Sequence, residues 1–586
     1  MKITFTAFLA LLIISCSSDT DAPIKTQEKQ DLAFEKQKEN FIDALWQNSP
    51  GWATYVGNEK YDTVLSIPDK ANRDEELTFV SSYLDSLKKF NPLLLSPSNR
   101  TDYHLIENQL NKTRWRIEKF KEYQWNPASY NVAGGFAKIL GNKKINLEEK
   151  SRRIKERLRN VSAYYETAFQ NIKNPTLEHT ELAIEQSKGT LHYFNKTIRD
   201  SLNQANISLH ELTSYEALLN KSVVAIEKFI KQLENELLPE LNKSGAKQFR
   251  IGKELFEEKF AFDIQSAYTA EEVYNKALKR KDEISTEMIK LSKELWPKYF
   301  KNKKQPENDQ LLVKSLIDKI AENHVHRDSF ISAIEQQIPE LEAFIREKDI
   351  VYLDPTKPLV VRKTPEYMAG VAGASISSPG PYDADGDTYY NVTPLNKYTE
   401  KEAESYLKEY NHYILQVLNI HEAIPGHYLQ LVYSNQSKSM IKSILGNGAM
   451  IEGWAVYTER MMLEEGYGNH EPELWLMYNK WHLRVVCNTI LDYSVHVLNM
   501  KEEVALNLLI NQAYQEETEA RGKWKRATLS QVQLCSYFTG YTEIYDFREE
   551  LKQKKAENFS LKKFHEQFLS YGSAPVKYVR ELMIEN

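Results

Sequence analysis

From residue 31 to 345 the chain keeps one pattern: apolar residues return every three or four positions with charged residues between them. "LEEKSRRIKERLRNVSAYYETAFQNI" and "SLHELTSYEALLNKSVVAIEKFIKQLENELL" are examples. At ~100° per residue this spacing gathers the apolar side chains on one stripe of an α-helix, and a stripe of that kind must be buried against another element. The outcome is a stack of long amphipathic helices, punctuated by "FNPLLLSPSNR", "NPTLEHT" and "NKSGAKQ", where Pro, Gly and Asn end the periodicity. No internal repeat interrupts it.

The pattern changes near residue 349. "DIVYLDP" and "PLVVRKTP" are short β-branched runs bounded by Asp and Pro, and "DTYYNVTP" follows a Gly- and Ser-rich stretch. These read as short strands. Helical periodicity returns at Thr399 with "TEKEAESYLKEYNHYILQVLNIHEA" and continues to the C-terminus. The fold class is therefore mainly α, with a small sheet or hairpin just before a His-Glu motif. Residues 31–345 form an N-terminal helical region and residues 346–586 a second region, the two read as one integrated unit. The turn "YDADGDTYY" carries Asp383, Asp385 and Asp387, but its glycine precedes the third Asp and its twelfth position is Pro394. A turn between strands fits it better than a calcium loop.

A net charge of -6 over 586 residues, with both signs interspersed, singles out no nucleic-acid partner and says nothing of oligomeric state. At the N-terminus, Met1 and Lys2 precede the apolar run "ITFTAFLALLII", and Ser15 stands directly before Cys16. Residues 1–15 read as a lipoprotein signal peptide, and the polar residues 16–30 as a flexible tether. What is known of bacterial lipoproteins implies lipidation of Cys16, hence anchoring to a membrane of the bacterial cell envelope, outer membrane by sorting analogy, facing the periplasm or the surface. No later apolar run approaches the ~20 residues needed to span a bilayer. Cys487 and Cys535 sit among apolar residues and read as buried free thiols.

The chemistry concentrates in "NIHEAIPGHYLQ", residues 419 to 430. Imidazoles and carboxylates are good zinc ligands, and catalytic zinc takes three protein ligands and leaves one position open. A regular helix brings residues i and i+4 onto one face. Over the six residues from His421 to His427 it turns about 600°, leaving the second imidazole roughly 120° away and ~9 Å further along the axis. A straight helix cannot chelate here. Pro425 removes a backbone donor and Gly426 relaxes the dihedral limits, so a widened or π-type turn at that point is expected to bring His427 back round. "GAMIEGWAVYTERMM" then offers Glu452, 25 residues after His427, with Glu459 two turns further along. In gluzincin peptidases, to which this arrangement is similar, the third ligand is a Glu on the next helix. Glu459 is placed to orient a ligand from behind.

"YYNVTP", "HEAIPGHYLQ", "EGWAVYTERM", "LDYSVH" and "FHEQFLSYGSAP" together resemble the bacterial proteins catalogued as domain of unknown function 885, over most of the mature chain. That family is in turn similar to helical gluzincin zinc metallopeptidases. The resemblance implies one Zn(2+) per chain held by His421, His427 and Glu452, with Glu422 as general base. For the oxyanion it points to Tyr537, in the spacing Gln533, Tyr537, Gly540, or to His496 beside Asp492. Arg526 is implied to pair with a substrate carboxylate. "GASISSPG" and "TYYNVTP" are expected to form a sheet edge on which a peptide lies, with Tyr390 and Asn391 at the substrate. The chain departs from the family pattern at Gln531-Val532, where many members have Pro-Gly, and in lacking an arginine four residues before Asp492. The function implied is hydrolysis of short or unfolded peptides by a zinc metallopeptidase, in carboxypeptidase or oligopeptidase mode. A ligand-binding lipoprotein without turnover and a metal-dependent hydrolase of non-peptide amides or esters are the alternatives that share this site.

Overall fold

The structure, a computed structural model, describes residues 21–364, 374–382 and 387–585. The expected signal peptide, Cys16, Asp383 and Asp385 lie outside the described residues. The N-terminal periodicity resolves into long helices, among them α1 (Asp21–Asn48), α2 (Pro97–Trp115), α3 (Leu147–Asn171), α4 (Leu209–Gln232), α5 (Ala270–Phe300) and α6 (Phe330–Glu347). Their starts follow local chemistry: Ser208 with Glu211 and Thr269 with Glu272 close capping boxes, satisfying amides that have no partner inside the helix. The stretch read as a flexible tether is already helical from Asp21. Its Lys, Gln and Glu residues are good helix formers, and they extend the helix that Phe34, Phe41 and Leu45 bury. No described helix is long and apolar enough to cross a membrane.

Among the described residues, three hydrophobic cores hold the molecule. One joins α3 and α4 through residues such as Leu158, Tyr165, Leu219 and Phe229. A second gathers α1 and α2 with Ile441, Ile444 and Leu445, and here Asp102, wholly buried, accepts Lys38 Nζ at 2.8 Å and Lys442 Nζ at 2.6 Å. The largest runs from Phe249 to Met583 and draws on both α5 and α6 and the C-terminal helices. The change of pattern near residue 345 is thus no boundary between separate cores.

Among the described residues the sheet has three strands, β1 (Leu359–Lys363), β2 (Ala374–Ser377) and β3 (Thr388–Val392), in the order β1-β3-β2. β3 pairs parallel with β1, Leu359 opposite Thr388, and antiparallel with β2, Ala374 opposite Val392. "TYYNV" is therefore the central strand and offers no free edge; the edge next to the C-terminal helices belongs to "ASIS". Residues 349–355, read as a strand, are not one. The Ile350 carbonyl accepts from His565 and the Tyr352 amide donates to Glu566, so side chains of one helix, Leu561–Ser570, take backbone groups that a ladder would need.

Candidate metal centre

Four further helices build the site: α7 (His412–Glu422), α8 (His427–Asn435), α9 (Gly448–Glu464) and α10 (Pro472–His496). The segment between α7 and α8 is a break rather than a bulged turn within one helix. The Ala423 and Ile424 amides both donate to Asn419 O, and the Gly426 amide donates across six residues to Ile420 O at 3.0 Å. The Ile424–Pro425 peptide is cis, and Trp454 of α9 donates to Pro425 O at 2.8 Å. Gly426 has a negative φ of -73, so its freedom at positive φ is not what the site uses. Space is: a Cβ there would lie 1.9 Å from His421 O and 2.4 Å from Ile420 O. A fresh helix then starts at His427, and the two imidazole centroids stand 4.7 Å apart.

α9 brings Glu452 to them. Its Oε2 lies 3.3 Å from His427 Nε2 and 3.9 Å from His421 Nε2, and one ligand atom from each of the three residues falls within 4.8 Å of the others. Tetrahedral bonds of about 2.1 Å put neighbouring ligand atoms about 3.4 Å apart, so the donor set fits one zinc ion. Behind it, His421 Nδ1 donates to Glu459 Oε1 at 2.6 Å, and Trp481 of α10 donates to the same oxygen at 3.0 Å. That bond fixes the tautomer with the lone pair of Nε2 turned towards Glu452. α9 is held against α12 (Ser536–Lys555) at a crossing of two glycines: a Cβ on Gly453 would meet the backbone of Gly540 at 2.3 Å, and one on Gly540 would meet Ala449 O at 1.8 Å.

Three carboxylates face two imidazoles here. Burial opposes a charge on His421, but Glu459, then Glu422 and Glu452, outweigh it and push the imidazole up to about 9. Burial raises Glu422 above the usual carboxylate range. For Glu452 burial acts the same way, and the hydrogen bond and charge of His427 overcome it and hold it below that range. Three carboxylates gathered at two imidazoles are a charge arrangement that a divalent cation balances.

The other expected residues divide. Tyr537, on α12, stands near the centre, where its hydroxyl helps lower Glu452 and receives Arg526 Nη2 at 3.4 Å, while Arg526 also holds Gln533 Oε1 at 2.6 Å. Burial, then the Glu452 charge, keeps the Tyr537 hydroxyl protonated. His496 does not join them. Its Nε2 proton is shared by Ala527 O at 2.8 Å and Ser530 O at 2.9 Å, pinning the end of α11 (Glu517–Leu529), and Phe249 and Phe256 enclose the ring. Asp492 touches none of the three ligand residues in any bond; it accepts the Val532 and Leu534 amides at 3.1 and 3.0 Å. It thereby clamps Val532 at a φ of 72, a conformation foreign to a β-branched residue and native to the Pro-Gly turn expected there. Asn391 is wholly buried and engaged inside the sheet by Arg362, Ser375 and Ser377, and Tyr390, equally buried, donates to Asn419. Both serve the scaffold behind α7 rather than an open surface. Cys487 and Cys535 are free and buried.

Trp454 and Trp481 escaped the sequence reading because an indole that hydrogen-bonds inward has the same signature as a core aromatic.

The fold recurs in solved structures. A candidate lipoprotein of unknown function from Shewanella oneidensis is 54% identical with a TM-score of 0.87, over 94% of this chain and 99% of that one. A candidate lipoprotein from Colwellia psychrerythraea, 15% identical, superposes with a TM-score of 0.75 over 96% of this chain and 99% of its own, a likeness of fold alone. No curated protein matches the chain. Residues 50–583 match the family described as bacterial protein of unknown function (DUF885), and the chain belongs to that family.

Proposed function

We propose that the protein is a zinc-dependent peptidase of short or unfolded peptides, anchored in the bacterial cell envelope through a lipidated Cys16. The observation that carries the reading is the convergence of His421, His427 and Glu452 within 4.8 Å, with Glu459 fixing the tautomer of His421. His421, His427 and Glu452 would hold the zinc ion, which would supply Lewis acidity to the hydrolysis. Glu422, next in sequence to one ligand and raised by burial, is the general base that accepts a proton from the attacking water and returns it to the leaving amine. Tyr537, kept protonated, donates its hydroxyl to the developing oxyanion. β2 packs on α7 and is the sheet edge beside it, so an extended peptide adds there as a fourth strand. The anchor is supported by the description of the Shewanella oneidensis relative as a candidate lipoprotein.

The test is Glu422→Gln. The variant keeps one zinc per chain and loses hydrolysis of a peptide library; unchanged turnover with zinc retained would remove Glu422 from the mechanism and with it the peptidase reading.

A further inference from the structure

"FNPLLLS", residues 90–96, places three leucines in a row, and the fold buries one of them. Leu95 is 2% exposed in the second core, whereas Leu93 is 79% and Leu94 41% exposed. The turn that displays them is fixed: Pro92 opens a 3-10 turn, Pro92–Leu94, and Asn91 Oδ1 accepts the Leu93 amide at 3.1 Å. α1 lies against that turn. Asp31 Oδ1 accepts the Ser96 amide at 3.0 Å and Asn99 Nδ2 at 2.9 Å, and the Phe34 and Phe90 rings meet edge to face at 5.2 Å. Leu32, the residue after Asp31, is 76% exposed. Two outward leucines of the turn and one of the helix thus share the surface where α1 meets the turn.

A single exposed leucine is ordinary, but apolar side chains gathered on one surface mark a contact. Their position in the chain names the partner. Cys16 stands five residues before Asp21, where α1 begins, a reach of at most ~18 Å, and Leu32 lies about 17 Å further along the helix. With α1 lying along a bilayer, the anchor and the three leucines meet the same membrane face, and an acyl anchor with a second membrane contact holds far more firmly than either alone. The charges one turn from Leu32 on α1 are mixed, Lys29 and Lys36 against Glu28 and Glu35, and Glu35 already takes Lys38 at 2.8 Å. Charge therefore selects no anionic partner. The apolar side chains are what would enter the lipid.

We propose that Leu32, Leu93 and Leu94 insert into the bilayer that holds Cys16, so that α1 lies along the membrane and the protein has a fixed membrane-facing side. The proposal rests on the reading of Cys16 as a lipid anchor, which mass spectrometry of the peptide containing Cys16 tests separately. The acylated full chain carrying Leu93→Cys or, for comparison, Leu209→Cys is labelled with a thiol-reactive fluorophore and reconstituted in phosphatidylcholine vesicles with bromine on the upper acyl chains. Cys487 and Cys535 are buried, and an acylated Cys16 offers no thiol. Leu209 is as exposed as Leu93, at 79%, and opens α4, whose apolar face lies in the first core. Inserted apolar side chains reach ~5–10 Å into the interface, so bromine dims the label at 93 about twofold or more and leaves that at 209 unchanged. Leu32→Ser together with Leu94→Ser, which alter only exposed side chains, restore most of the lost emission at 93. Vesicle-bound protein with the label at 93 undimmed overturns the patch, as does equal dimming at 93 and 209, or dimming that the two serines leave unchanged. A Cys16 found unacylated removes the anchor reading. The measurement is then repeated with Cys16→Ser, where dimming at 93 leaves the patch standing and its absence removes the patch as well.

Discussion

Replacing Glu459 by Gln isolates the support behind the metal centre. The carboxylate is wholly buried; Oε1 takes His421 Nδ1 at 2.6 Å and Trp481 Nε1 at 3.0 Å, while Oε2 is buried without a partner among the described residues. Glutamine keeps the shape and an acceptor for both donors, but it removes the charge that makes His421 more basic and leaves an amide NH2 where Oε2 was. Outer carboxylates of this kind change metal affinity about 10–100-fold, or about 1.4–2.8 kcal/mol at ~1.4 kcal/mol per decade. Chelator competition near neutral pH reads this directly, with the unfolding midpoint of each metal-free protein as the check that the fold is intact. An affinity indistinguishable from that of the unaltered chain, in a folded variant, would refute the reasoning: His421 would then not be a ligand oriented through Nδ1.

Gly426→Ala drives a methyl into His421 O and must reopen the α7–α8 break; stability falls by about 1–3 kcal/mol and zinc affinity falls with it, whereas a variant with both intact contradicts the close-approach account. Burial, opposed by the Ala527 and Ser530 carbonyls, lowers native His496 to about 4 from 6.5. The unfolded chain therefore binds more protons between those values, so this contribution is complete above 6.5 and is lost as pH falls towards 4, at up to ~1.4 kcal/mol per pH unit. Denaturant midpoints of His496→Gln between neutral and mildly acid pH show a shallower slope than those of the unaltered chain; equal slopes contradict it.

Much of this was legible in residue spacing. Periodicity located the helices because burying an amphipathic stripe is a local demand repeated along the chain, and His421, His427 and Glu452 were legible because imidazole and carboxylate chemistry is specific. The manner of their meeting was not. A proline and a glycine mark a disruption without saying whether it is a π turn or a break, and here the cause is Ile420 and His421 carbonyls that leave no room for a Cβ at position 426. His496 and Asn391 misled for the converse reason: polar residues near a motif look functional, yet inside a large core they satisfy carbonyls and sheet partners.

The claim on which all this depends is a metal ion at the α7–α8 break. An anomalous-difference map collected at the zinc absorption edge from crystals of the purified chain measures it directly. The account predicts a single peak bonded to Nε2 of His421, Nε2 of His427 and a Glu452 oxygen at about 2.0–2.2 Å. A fully occupied peak elsewhere, or zinc-soaked crystals with no peak between these three residues, contradicts it.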